Sequence, residues 1–194
     1  MSRASPLTNV IEKGLFGNFE GKNENDLITI KEVKNLLILQ IVQYKNSSLD
    51  VKKIDIDGVI FSNPLKVSSN NDTRILWNGP KNWLLVSEKK DLLDKTKKLF
   101  NEKDFATTDI SHSRAIIEIE GNNSKEILKK GCPYNFNEIK KNMCINSIFN
   151  GINITIDMIE ENPEKIRLFA LRSFGESMYH AITDSTLEFG YKAT

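Results

Sequence analysis

Apolar and polar residues alternate over several stretches of the chain. Leu27–Val33 reads Leu-Ile-Thr-Ile-Lys-Glu-Val, the two-residue period of a strand. Leu36–Tyr44 is strand-like, with Leu37, Leu39 and Ile41 on one face and Leu36, Ile38 and Val42 on the other. Ser47 or Ser48 can cap a short helix through Ile56. Arg74–Trp77 and Trp83–Ser87 form two short strands around Asn78-Gly79-Pro80-Lys81-Asn82, which is turn chemistry. An amphipathic helix follows from Ser87 or Glu88 to Phe100. Leu92, Leu93, Thr96, Leu99 and Phe100 face inward and Lys90, Lys97 and Lys98 outward.

The second part repeats the style. Phe105–Ile110 and Arg114–Glu120 are strands, the latter with Ala115, Ile117 and Ile119 on one face. Asn123 or Ser124 caps a helix through Lys130, and Gly131-Cys132-Pro133 stops it. Met143–Phe149 and Ile152–Ile159 flank Asn150-Gly151, a strong hairpin signal. Glu160–Glu164 turns into a third strand, Lys165–Leu171. A final helix runs from about Phe174 to Glu188, with Ser173 as its cap.

Leu36–Ile110 thus reads strand, helix, strand, strand, helix, strand, the order of a split βαβ, ferredoxin-like plait. Residues 114–188 read strand, helix, several strands, helix. The expected fold class is α+β, two plait-like sandwich halves. The expected domains are an N-terminal tail (1–25), a ferredoxin-like half (26–110) and a second α+β half (111–194). The tail mixes Gly14, Gly17 and Gly21 with apolar Leu7, Val10, Ile11, Leu15 and Phe16, which are many for a free tail. They can dock on the body or on a partner.

Composition removes functions. The 194 residues carry 27 Lys+Arg against 26 Asp+Glu, a net +1, which disfavours a dedicated nucleic-acid binder. Two Cys and two His leave no disulfide framework, His-rich metal site or four-Cys zinc site. There are 22 Lys, dispersed along the chain, and 5 Arg, with many Asn and Ile, which fits the codon usage of an AT-rich genome. The opening Met-Ser-Arg-Ala-Ser-Pro-Leu has no secretory apolar run, and no stretch approaches the roughly 20 residues of a membrane span. A soluble, cytoplasmic chain with no membrane contact is expected.

The chemistry on offer is sparse. Asp109-Ile110-Ser111-His112-Ser113-Arg114 groups a Ser, a His and an Asp. They lie in one short connection, whereas triads are assembled from separated elements. The other reading is a tight turn whose acid and serines satisfy loop amides. Arg114 opens an apolar strand and suits a forked carboxylate contact, with Asp109 or with a partner's acid. Cys132 sits at a helix C-terminus, where the dipole disfavours a thiolate. Cys144 alternates into a strand and reads as core. Trp77 and Trp83 read as core aromatics or as stacking surfaces. Neither the Gly-x-x-x-x-Gly-Lys nor the Gly-x-Gly-x-x-Gly phosphate loop occurs.

Several segments together resemble the gamma subunit family of heterotetrameric sarcosine oxidase. They are Ser5-Pro6-Leu7, Trp77–Val86, Asp109–Ala115, Leu128–Pro133 and Leu171–Ser177, which follow in order and together span most of residues 5–190. The resemblance implies a non-catalytic chain held with alpha, beta and delta chains. The family's complex demethylates sarcosine oxidatively to glycine, makes hydrogen peroxide and passes the one-carbon unit to tetrahydrofolate. FAD, FMN, NAD and tetrahydrofolate are implied for the partner chains, with no cofactor, metal or catalytic residue on this one. The family motifs and exposed loop positions nominate Ser5, Pro6, Leu7, His112, Arg114, Gly131, Cys132, Pro133, Arg172 and Phe174 as partner-interface residues.

Residues 109–171 are more distantly similar to the folate-binding first domain of the glycine-cleavage T-protein, which makes the second half T-protein-like. That family's turn supplies a catalytic Asp. The corresponding run here is Asn150-Gly151-Ile152-Asn153-Ile154-Thr155, with Ile154 and Thr155 where the acids would stand. Asn135 likewise replaces an acid. The expected function is a structural scaffold. The alternatives are a stand-alone folate-binding or aminomethyltransferase-like protein, or a plait-type RNA module.

Overall fold

The computed structural model describes residues 5–194. The strands are β1 (Gly14–Phe16), β2 (Ile28–Glu32), β3 (Leu37–Gln43), β4 (Asp55–Ile56), β5 (Val59–Ile60), β6 (Val67–Ser69) and β7 (Thr73–Gly79). They continue as β8 (Asn82–Ser87), β9 (Phe105–Asp109), β10 (Arg114–Glu120), β11 (Cys144–Phe149), β12 (Ile152–Glu161), β13 (Glu164–Leu171) and β14 (Tyr191–Ala193). Three α-helices accompany them among the described residues: α1 (Leu92–Leu99), α2 (Ser124–Lys129) and α3 (Gly175–Thr186). The fold is mixed α+β, rich in sheet and poor in helix.

The chain divides into two compact units. The first holds the residues up to Lys34 with Arg114–Lys141 and Asn146–Thr194; the second holds Asn35–Ser113 and Asn142–Ile145.

In the first unit the seven-stranded sheet runs β1-β14-β2-β10-β13-β12-β11. β10 is central because it is buried on both faces: Ala115, Ile117 and Ile119 on one side, Ile116 and the ion-paired Glu118 on the other. β2 pairs antiparallel with β10, and β14 lies parallel to β2. β1 closes that edge on β14, with Phe16 stacked on Tyr191 at 5.3 Å between ring centroids. The residues expected as a tail are therefore part of this sheet. Leu7 is wholly buried, and Ser5 Oγ donates to Glu32 at 2.5 Å. The physical reason is that β14 lies parallel to β2 with its other edge open, and β1 supplies backbone partners along that edge while Leu7 and Phe16 find apolar contacts.

The hairpin at Asn150-Gly151 forms as its residues require. Asn150 has φ 46° and Gly151 φ 83°, the two left-handed positions of a type I′ turn. Two caps differ from expectation. Asn123 takes φ 82° and makes no side-chain cap bond, while Ser124 Oγ donates to Gly121 O at 2.7 Å. Ser173 lies inside a 3-10 turn, Arg172–Phe174, and Phe174 occupies the cap position of α3 without capping it.

In the second unit the five-stranded sheet runs β6-β7-β8-β3-β9, antiparallel throughout. Leu37, Leu39 and Ile41 enter one core with Phe61, Ile75, Trp83, Leu85, Leu92, Phe100 and Phe105. A plait over 36–110 calls for two helices, and within that span α1 is the one α-helix. The segment expected as a helix through Ile56 is a 3-10 turn, Val51–Lys53, followed by the β4–β5 ribbon. Asp50 caps that turn, Ile54 and Ile56 lie two residues apart, at strand rather than helix spacing, and Ile56 faces Val59 across the ribbon. In α1, Leu92 and Thr96 are buried, but Leu99 is 50% exposed; Phe100, just past the helix, is buried instead. In the β7–β8 turn the left-handed residue is Lys81 (φ 53°), whose Nζ donates to Tyr44 O at 3.3 Å and Lys45 O at 3.2 Å.

One polar row crosses the first unit's sheet. Lys31, Glu118, Arg167 and Asp157 occupy facing positions on β2, β10, β13 and β12. Glu118 is buried; Lys31 Nζ approaches it at 2.9 Å, and Arg167 donates through Nε at 3.2 Å and Nη2 at 2.7 Å. Burial pushes the Glu118 carboxyl up, but Lys31 and Arg167 outweigh it and hold it below its ordinary value of 4.5. A carboxyl with a depressed folded pKa contributes stability above its unfolded pKa, and loses it as pH falls through the folded one. Glu118→Ala should cost about 3–5 kcal/mol in urea unfolding near pH 7, since Arg167 loses its buried partner. The stability gap between the wild type and Glu118→Gln should narrow as pH falls below 4.5.

Candidate functional site

Three of the motif segments meet inside the first unit. Arg114 pairs with Leu171 at the shared end of β10 and β13. The chain then turns through Arg172–Phe174 into α3, whose first residue, Gly175, is buried. A Cβ added at Gly175 would stand 3.0 Å from Ala115 Cβ and 3.3 Å from both Leu7 and Pro6. Gly175 is thus required by close packing, not by its φ. Ser5-Pro6-Leu7, Arg114-Ala115 and Leu171–Gly175 form one corner.

Within it the residues divide by exposure. Leu7 is wholly buried in the chain's own core. Ser5 is held by Glu32, and Lys34 Nζ lies 3.2 Å from the same carboxylate. Arg114 is half-buried, and burial lowers its pKa. Leu171 and Phe174 are 46% and 47% exposed.

The fourth motif, Gly131-Cys132-Pro133, lies apart from this corner in the packing. Gly131 O accepts from Asn150 N at 3.0 Å, and a Cβ on Gly131 would fall 2.4 Å from Asn150 Oδ1. Cys132 is buried with its Sγ 3.2 Å from Ser147 Oγ. Gly131 and Cys132 therefore seat the end of α2 on the β11–β12 hairpin, leaving Pro133 exposed. This role in the fold comes from hairpin geometry, which the motif's local reading as a helix stop does not contain.

In the second unit, the Asp109–Ser113 connection is a turn closed by its own side chains. Asp109 Oδ1 accepts from Ser111 N at 2.9 Å and from Ser111 Oγ at 2.5 Å, and Ser111 Oγ accepts from Ile38 N at 2.9 Å. Burial raises the Asp109 carboxyl, but Ser111 and His112 outweigh it and leave it lowered. Asp109 is thus occupied by Ser111, and His112 is exposed. The arrangement is loop satisfaction without a relay from acid to imidazole to hydroxyl. Trp83 is core, its Nε1 donating to Ser62 O at 3.0 Å, and Trp77 faces it across β7–β8. Cys144 is buried beside Lys66 O and Trp77 O, each 3.2 Å from Sγ.

A second polar cluster escaped the sequence reading. Asp57 (φ 59°), in the β4–β5 turn, accepts from Thr73 Oγ1 at 2.7 Å and from Lys89 Nζ at 2.9 Å. Lys89 also reaches Asp72 at 3.1 Å. The Thr73 and Lys89 bonds lower the Asp57 carboxyl, and Asp57 and Asp72 raise Lys89. This cluster is a clasp holding the ribbon to β7 and β8. Its signal was only Asp57-Gly58 as a turn; the partners lie 15 and more residues away.

At the T-protein-like turn, Ile154 is buried, and Thr155 Oγ1 bonds Asn146 Oδ1 at 2.7 Å. No carboxylate stands at either position. Among the described residues no group of three His, Cys, Asp or Glu side chains could hold a metal ion. No helix there is long and apolar enough to cross a membrane.

The model of the sarcosine oxidase gamma subunit family matches residues 54–188. The chain belongs to that family. The gamma subunit of sarcosine oxidase from Corynebacterium sp. (strain U-96) is 28% identical over 120 residues. That match covers 60% of this chain and 58% of the relative, so it spans little over half the relative's length. A chain of the heterotetrameric sarcosine oxidase from Corynebacterium sp. U-96, solved with pyrrole 2-carboxylate, is similar in fold. It has a TM-score of 0.81 at 24% identity over 97% of both chains. The aminomethyltransferase T of the glycine cleavage system from Bartonella henselae shares the fold more distantly. There the TM-score is 0.59 at 8% identity, over 80% of this chain and 45% of that one.

Gly131 gives a direct check on this gamma-family chain. Gly131→Ala should destabilise it by about 1–3 kcal/mol, read as a lower urea midpoint with unchanged slope. A neutral result would show that Asn150 yields freely.

Proposed function

We propose that the chain is the non-catalytic gamma subunit of a heterotetrameric sarcosine oxidase, a scaffold for the flavin-bearing alpha and beta chains, with delta as the fourth chain. The family match over residues 54–188 carries this reading. In the proposed complex, sarcosine, dioxygen and tetrahydrofolate give glycine, hydrogen peroxide and the one-carbon folate. FAD, FMN, NAD and tetrahydrofolate sit on the partner chains, and this chain holds no cofactor of its own. The arrangement of its polar side chains supports the division of labour. Asp109, Glu118, Asp57 and Lys89 are each engaged in turns, sheet or clasp. The exposed motif residues His112, Pro133 and Phe174, with the half-buried Pro6, Arg114 and Arg172, are the proposed partner contacts. The proposed location is the cytoplasm.

Co-expressed with its neighbouring flavoprotein genes and purified through a tag on this chain, the preparation should be yellow and contain all four chains. Expressed alone, the chain should be colourless. Elution alone from the co-expression background would contradict the assignment. Micromolar tetrahydrofolate binding by the isolated chain, measured by calorimetry, would favour a folate-binding protein instead.

A further inference from the structure

The described residues carry three methionines and two cysteines, and four of these five sulfurs are buried. Met158, on β12, and Met178, on α3, are wholly buried. Cys132 is buried with its Sγ 3.2 Å from Ser147 Oγ. Cys144 is wholly buried, and the carbonyl oxygens of Lys66 and Trp77 at its Sγ are partners for an S–H donor. Met143 is the exception and is half-buried. Its place in the second unit explains why. Met143 bridges Lys66 in an antiparallel pair. On either side of the bridge Val67 N donates to Asn142 O at 2.8 Å and Cys144 N donates to Leu65 O at 3.1 Å. Side chains directly opposite share a face, and their neighbours along each strand take the other. Cys144 and Val67 fill the inner face, so Met143 shares the outer one with the exposed Lys66. Its side chain thus reaches solvent from an ordered backbone.

We infer that Met143 is the residue at which hydrogen peroxide oxidises this chain, and that the other four of these sulfurs are shielded from it. The oxidant is a product of the proposed reaction, so the inference rests on the gamma-subunit reading for its source. In the step, a lone pair of the Met143 sulfur attacks one oxygen of the peroxide. An S–O bond forms as the O–O bond breaks, and the departing hydroxide takes the proton from the sulfur-bound oxygen. The products are methionine sulfoxide and one water; the sulfur loses two electrons and the peroxide gains them. A thioether needs no ionisation for this, whereas a thiol reacts as its thiolate. Met158 and Met178 are reached only when the core around them opens. A sulfoxide is polar and disrupts a core, but at Met143 its oxygen can face water.

The test places added oxygen residue by residue, by tandem mass spectrometry of the full chain; Met1 lies outside the described residues and is scored separately. In the isolated folded chain treated with hydrogen peroxide, Met143 should oxidise about tenfold or more faster than Met158 and Met178, with both cysteines unmodified. In urea the three rates should converge; a preference that persists there would be local to the sequence and would overturn the structural account. Met143→Leu, which nearly keeps the side-chain volume, should leave the other four sulfurs unoxidised. In the co-expressed complex given sarcosine and dioxygen, Met143 sulfoxide should accumulate with turnover, and catalase should prevent it. Equal oxidation of Met158 or Met178 in the folded chain, or a cysteine reacting ahead of Met143, overturns the inference. So does a complex that releases peroxide over many turnovers with Met143 intact, a result that leaves the gamma-subunit reading in place. A complex that releases no peroxide from sarcosine overturns that reading and, with it, the source of the oxidant.

Discussion

Glu118 is the residue on which the first unit's arrangement turns. A carboxylate buried in the middle of a sheet is tolerable only with its charge matched, and here the match comes from Lys31 on one neighbouring strand and Arg167 on the other. The interaction ties residues far apart in the sequence, 31, 118 and 167, into one register. A slip of β2 by one residue would turn Lys31 to the opposite face and leave Glu118 short of a cation. With β2 so placed, Glu32 meets Ser5, Leu7 drops against Gly175, and the Leu171–Phe174 corner acquires its rigid back.

The same logic explains how the ends of the chain interlock. β14 lies between β1 and β2, so the C-terminal strand is gripped by two N-terminal ones. Gly17 is required at the same junction: a Cβ there would stand 2.3 Å from Leu187 O, and Asn18 N donates to that carbonyl at 2.8 Å. Helix α3 is thus backed at its start by Pro6 and Leu7 and met at its end by Gly17 and Asn18.

What the sequence made legible follows the range of the interactions. The alternation of 114–120, the pair of strands around Asn150-Gly151 and the helix after Ser173 rest on neighbouring residues, and the structure has them within a few positions. The membership of the sheet does not rest on neighbours. Nothing local to Gly14–Phe16 or Tyr191–Ala193 says that these short segments pair with each other. Ser47–Ile56 reads as a helix from its possible caps, yet its apolar side chains serve a ribbon clasped by Asp57, Thr73 and Lys89. The motif residues were visible as motifs, but exposure separates them. Leu7 and Cys132 are buried and Gly131 is half-buried against the hairpin, while Leu171 and Phe174, both in the Leu171–Ser177 segment, are about half exposed.

The central claim is that the N-terminal segment is built into the fold and fixes the corner where β10, β13 and α3 meet. Native-state amide hydrogen exchange on the isolated chain tests it most directly. The amides of Ile28–Glu32 should exchange with the same protection as those of Arg114–Glu120 and Glu164–Leu171. In Lys31→Ala, protection at 28–32 and at 175–179 should fall together. Fast exchange at 28–32 in the wild type, with β10 and β13 fully protected, would contradict the account.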